Sequence, residues 1–196
     1  NWGADPAVLI VPKDSKFKNV ADLVAFAKEN PGKVTINGAG LYVGHHIATL
    51  QLQKATSVKM SYIPEKGGTE AIQNVLGGKV MAGFNNLADV YRSQDRLTIL
   101  AIADVKRHEY LPDVPTLQEL GYNVDDASVN FRGYALPKGV APSIVDKAAK
   151  IVPVMFHDPE VVKRMKDSGS PMLIMDRAQV LKMFQKKQET LKALLS

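Results

Sequence analysis

The chain contains no cysteine among its 196 residues. That excludes thiolate nucleophiles, cysteine-ligated metals and disulfides, and it suits a bacterial exported protein without proving export. Histidine is scarce, with four dispersed residues and neither an HExxH pattern nor paired ligand spacing, which argues against a metal site. No apolar run approaches the length of a membrane span. The longest, Leu97 to Ala103, reads as a buried strand. Catalytic patterns are missing too. Ser93, Asp104 and His108 have the residue types of a triad, but no nucleophile elbow frames the serine. Asp176 and Glu189 are separated along a solvated helix and do not form an acid-base pair. Charge of one sign is modest at +5, and Lys182, Lys186 and Lys187 read as a solvated helix face. With no RNP, zinc-finger or helix-turn-helix pattern, no nucleic-acid partner is expected.

What is present is ordinary for a globular α/β protein: 45% hydrophobic and 23% charged residues. Apolar runs at Ala7–Val11, Val34–Ile36, Lys59–Ile63, Val80–Phe84 and Thr98–Ala103 alternate with helical patterns. Asn19 caps the first helix, with Val20, Leu23, Val24 and Ala27 on one face. The alternation predicts a mainly parallel sheet flanked by helices. Thr116 is expected to cap a short helix ending at Gly121. After a polar stretch at Asn123–Ser128, a strand is expected over Val129–Leu136, then helices over Pro142–Phe156, Pro159–Lys166 and Asp176–Leu195, with a short strand at Met172–Met175. The expected division is 1–125 and 126–196, with a hinge near 125–130.

Three successive strand ends carry glycine or amide chemistry. The first is TINGAGLYVGHH, Thr35 to His46, where Gly38, Ala39, Gly40 and Gly44 precede a helix opened by His45 and His46. Glycines admit close backbone approach, and a helix start leaves N–H groups unpaired, so this suits a carboxylate or phosphate; a plain tight turn suits the pattern as well. The second is Lys66-Gly67-Gly68 with Thr69 as expected N-cap, and the third is the pair Asn85-Asn86. Ligands of open α/β sheets bind outside the carboxyl ends of strands, so these ends form a candidate site. His45 either donates to a ligand or packs. Lys66 either meets an anion or is solvated. Phe131 is expected as cleft wall.

These residues, with Val11-Pro12-Lys13-Asp14-Ser15, Asn30-Pro31-Gly32-Lys33, Pro64-Glu65-Lys66-Gly67-Gly68, Leu76-Gly77-Gly78, Leu111-Pro112-Asp113-Val114-Pro115-Thr116 and Phe131-Arg132-Gly133 leading to Pro137-Lys138-Gly139, resemble the solute-binding proteins of tripartite tricarboxylate transporters, the TctC or Bug family. The resemblance implies a periplasmic, two-lobed clamp that captures a small organic carboxylate for the membrane components of a transporter, without cofactor or catalysis. It implies that 1–125 is lobe two and 126–196 the returning C-terminal part of lobe one, whose opening βα units have no counterpart here. Three positions depart from the family: Glu65 replaces an aromatic residue, Asn85 an acidic one and Phe131 a tryptophan. An amide at Asn85 disfavours a ligand ammonium group, so a di- or tricarboxylate or an aromatic acid is expected. An effector-sensing domain of a transcription regulator is the alternative. Apolar faces left uncovered by the absent strands would favour self-association.

Overall fold

A computed structural model describes residues 1–196. Two units make up the chain: Pro6–Asn130, and a smaller one combining Asn1–Asp5 with Phe131–Ser196. The N-terminal strand β1 (Gly3–Asp5) thus belongs with the C-terminal residues, while Asp126–Asn130 belong with the larger unit.

In the larger unit, β2 (Ala7–Pro12) is almost wholly buried, because helices cover both faces of its sheet. Leu9 and Val11 point into a core with α1 (Val20–Glu29) and α2 (Gly44–Thr56), which contribute Leu23, Ala27, Ala48 and Leu52. Val8 and Ile10 point into a second core with α3 (Gly68–Leu76) and α4 (Leu87–Ser93), through Ile72, Val75, Leu87 and Val90. This is the period-two alternation of a strand buried on both sides. Asn19 caps α1 as expected: its side chain accepts the Asp22 N–H at 2.9 Å, and Asp22 accepts the Lys18 N–H at 2.8 Å.

The sheet has five strands in the order β4 (Ser61–Glu65), β3 (Thr35–Ala39), β5 (Ala82–Asn86), β2 and β6 (Leu97–Ala103). β3 runs parallel to β4 and β5, but β2 runs antiparallel to both β5 and β6. The expectation of a mainly parallel sheet therefore holds for four strands and fails for the second from the edge. A continuously apolar strand packs equally well in either direction, so its composition carries no direction.

Three local expectations change. Thr116 closes a single turn, with reciprocal bonds between its backbone N–H and hydroxyl and Glu119 at 2.8 and 3.1 Å, and Gly121 at φ 86° ends it before a helix forms. The strand expected over Val129–Leu136 shortens to β7 (Asn130–Arg132), which pairs with β1. Met172–Met175 contributes a single bridge, from Met172 to Gly3. The expected C-terminal helices are present as α5 (Pro142–Met155), α6 (Pro159–Asp167) and α7 (Arg177–Leu195).

Candidate ligand site at the carboxyl ends of the larger sheet

From β3 the chain enters α2 on one face of the sheet, and from β4 it enters α3 on the other. β4 lies on one side of β3 and β5 on the other, so chain order reverses at β3. Such a reversal opens a crevice at the strand ends. Gly38, Glu65, Asn85 and Asn86 all stand there.

The glycine loop is fastened by the two histidines that follow it. His45 Nδ1 accepts the Ala39 N–H at 3.0 Å, and His46 Nδ1 accepts the Tyr42 N–H at 3.0 Å. The Gly40 N–H goes to the Glu65 carbonyl at 2.9 Å, and the Tyr62 hydroxyl donates to the Gly40 carbonyl at 3.0 Å. The His46 ring stacks on Tyr62 with centroids 4.3 Å apart. Gly40 and Tyr42 both adopt positive φ, 59° and 58°, which gives the loop its sharp path. The amides of Ala39, Gly40 and Tyr42 are therefore bound within the protein. The bare Cα of Gly38 serves packing: a Cβ there would fall 2.4 Å from His45 Cβ and 2.7 Å from the Tyr62 hydroxyl. At Gly44 a Cβ would fall 2.3 Å from the Ser128 carbonyl oxygen.

His45 is buried, and its Nε2 lies 3.0 Å from Asn86 Oδ1. Both ring nitrogens thus have protein partners, so of the two alternatives for this side chain the geometry is that of packing. Burial holds His45 below the ordinary 6.5, against the opposing pull of the Asn86 hydrogen bond and the Asp89 carboxylate; burial also lowers His46. Asn86 Oδ1 accepts a second donor, Asn130 Nδ2, at 2.7 Å. The Asn86 NH2 group makes no hydrogen bond within the protein and sits 3.9 Å from where a Gly68 Cβ would be, facing the start of α3.

Asn85 is buried with both ends of its amide bonded: Nδ2 donates to the Gly68 carbonyl and Oδ1 accepts the Asn86 N–H, each at 2.8 Å. It ties β5 to α3 instead of facing the crevice. The N-cap of α3 is Gly67; Thr69, expected to cap, is exposed within the first turn. Lys66 is exposed, and its backbone N–H donates to Glu70 at 3.1 Å. Glu65 is held by Asn37 and Asn74 amides at 3.1 and 2.8 Å. Phe131 lies in the smaller unit, edge-on to Phe184 with centroids 5.0 Å apart.

The two helix starts differ in charge. α2 begins at Gly44 behind Val43, with no side-chain cap and no acidic residue in its first turn. α3 also lacks a side-chain cap but carries Glu70 there. A helix start favours an anion, and an acidic side chain nearby opposes one. The Asn86 NH2 faces the start of α3, where Glu70 and Asp89 Oδ2, 3.3 Å from the place of a Gly68 Cβ, offset part of the positive charge, while the start of α2 packs against Ser128 and Asn130. Asn130 and Tyr62 were not expected as site residues. Their roles depend on partners 44 and 22 residues away, which no local pattern announces.

A family model described as tripartite tricarboxylate transporter family receptor matches residues 1–196. The chain is 39% identical over 140 residues to the UPF0065 protein in the gbd 5′ region of Cupriavidus necator, covering 71% of this chain and 42% of that protein. It spans about half the length, or less, of the first curated relatives it matches. Among solved structures, an R. palustris protein with adipate aligns at TM-score 0.87 and 19% identity, covering 98% of this chain and 65% of that one. MatC from Rhodopseudomonas palustris, solved with bound malate, aligns at 0.82 and 18%, covering 98% and 67%. The fold is thus the α/β fold of two-lobed periplasmic binding proteins, of which the chain covers a part.

Proposed function

The chain belongs to the tripartite tricarboxylate transporter receptor family, and from that premise we propose that it acts, as part of a periplasmic solute-binding protein, to capture a small organic carboxylate and present it to the membrane components of the transporter. The family is one of receptors, not enzymes. The observation that carries the reading is the Asn86 NH2, which makes no hydrogen bond within the protein and faces the start of α3 at Gly67 and Gly68, where no side chain caps the helix. Fixed donors of this kind complement a carboxylate because it only accepts hydrogen bonds. The unit Pro6–Asn130 then serves as lobe two, and Asn1–Asp5 with Phe131–Ser196 as part of lobe one. Within the proposed site, Gly67, Gly68, Thr69 and Asn86 line the ligand. Gly38, Ala39, Gly40, Gly44, His45 and Asn85 shape it from behind, and Lys66 adds positive charge at the rim.

Two neighbours of this fold hold dicarboxylates, adipate and malate, which makes a dicarboxylate the first class to try. Titrating the ¹⁵N-labelled chain with adipate, malate, an aromatic acid and a neutral sugar, read by amide shifts, tests the proposal. Carboxylates should move Gly44, His45 and the Asn86 side-chain amide. Shifts with the sugar alone, or none with any acid, would count against it.

A further inference from the structure

We propose that His45 and Asn130 are positioning residues that hold the Asn86 side-chain amide with its NH2 toward the ligand, so that the crevice takes an ionised carboxylate and rejects the matching carboxamide. The inference rests on the carboxylate reading above and adds the device that sets its selectivity.

The argument starts from a group that has no choice. The backbone N–H of Ala39 can only donate, and it points at His45 Nδ1 at 3.0 Å. Nδ1 must therefore carry a lone pair, and the single proton of the neutral ring must sit on Nε2. Nε2–H in turn requires an acceptor, and the Asn86 atom at 3.0 Å must be the oxygen. Asn130 Nδ2 puts a second donor on that same oxygen at 2.7 Å. Flipping Asn86 would set its NH2 against two N–H donors. Its NH2 is thus directed to the other side, toward the start of α3, where it makes no hydrogen bond within the protein, although Asn85 Oδ1 and Asp89 Oδ2 stand 3.2 and 3.3 Å from the place of a Gly68 Cβ. The tautomer of one buried imidazole, dictated by a loop amide, fixes the polarity of the crevice.

Packing makes the arrangement stiff. Asn130 Oδ1 would lie only 2.6 Å from a Cβ on Gly44, so the missing side chain at the start of α2 is what lets Asn130 reach Asn86. The bare Cα of Gly38 makes the same room for His45. A carboxamide in the crevice would place its own NH2 against the Asn86 NH2 in one of its two orientations, and it lacks the charge that strengthens each bond.

The test compares malate with malamide on the ¹⁵N-labelled chain, in wild type and Asn130→Ala. Wild type should prefer malate by about tenfold or more, the difference expected of charge-assisted over neutral hydrogen bonds. Loss of one of the two donors on Asn86 should cut that preference several-fold while the overall amide spectrum stays folded. Asn130→Ser removes the same Nδ2 donor and serves if the alanine variant does not fold. The wild-type ring gives a readout that needs no variant: long-range ¹H–¹⁵N correlation should show His45 protonated on Nε2. A proton on Nδ1 overturns the proposal. So does a malate preference left unchanged by loss of the Asn130 amide. If wild type responds to neither compound, the carboxylate reading itself fails, and the proposal with it.

Discussion

Gly38 and Gly67 are both glycines of the candidate site, yet they answer to different constraints. Adding a methyl at Gly38 would drive it into His45 and Tyr62, whereas nothing stands within 4 Å of a Cβ at Gly67. Gly38→Ala should therefore cost about 1–3 kcal/mol of stability, as overpacking of a tight interior does, and chemical denaturation would measure it. Gly67→Ala should leave the denaturation midpoint nearly unchanged and weaken only carboxylate binding, if ligand approach is what keeps that position bare. A loss of stability at Gly67 equal to that at Gly38 would contradict this division. Asn86→Asp sharpens the same point. The variant keeps an oxygen for His45 and Asn130 but turns the outward NH2 into a negative oxygen. It should raise the His45 pKa and abolish carboxylate binding, both of which an NMR titration would register.

At the scale of elements, the hold of α2 on the glycine loop depends on two imidazoles that accept backbone N–H bonds through Nδ1. Protonation turns each acceptor into a donor facing a donor. The groups around His45 are Asn86, Asn130 and the Asp89 carboxylate, and His46 faces Tyr42 and Tyr62. Burial outweighs them and lowers both histidines from 6.5, so the unfolded chain binds more protons than the folded one as pH falls. This stabilisation is therefore complete above 6.5 and fades below it, toward the depressed folded pKa. His108, also lowered by burial, contributes in the same direction. The melting temperature should drop as pH goes from 7.5 to 5.5, and less so in His46→Gln; an equal drop in the variant would remove His46 from the account. Strand-helix alternation, the Asn19 cap and the strand ends were legible in the sequence because each depends on neighbours within a turn or two. The reversed direction of β2, the burial of Asn85 and the clamp on Asn86 were not, because they arise from pairs brought together only by the completed sheet. The glycines of the loop were readable as necessary, but not whether a ligand or a histidine needs the space.

At the scale of the molecule, the smaller unit is short of a core of its own. β1 and β7 make a two-stranded sheet, and Arg132 pairs with the fully buried Asp5 at 2.5 Å, yet none of α5, α6 and α7 contains a buried residue. Ile144, Ile151, Val154, Leu181, Phe184 and Leu195 are all exposed. A groove of about 720 Å³ runs beside α7, lined by Phe131, Phe184, Leu191 and Leu195 and rimmed by Lys187 and Lys192. Apolar surface of this extent draws a covering surface, and in a solution of this chain alone the available one is another copy. Light scattering should show an apparent mass that rises with protein concentration. Replacing Phe184 and Leu191 together with lysine should return it toward 21.4 kDa, because added charge on the groove opposes its burial. The carboxylate-dependent shifts at Gly44 and Asn86 should survive that double change, since the larger unit carries that crevice by itself. A monomer at every concentration, with no binding of an apolar dye, would mean that α5 and α7 tolerate their exposure and that the smaller unit stands without a partner.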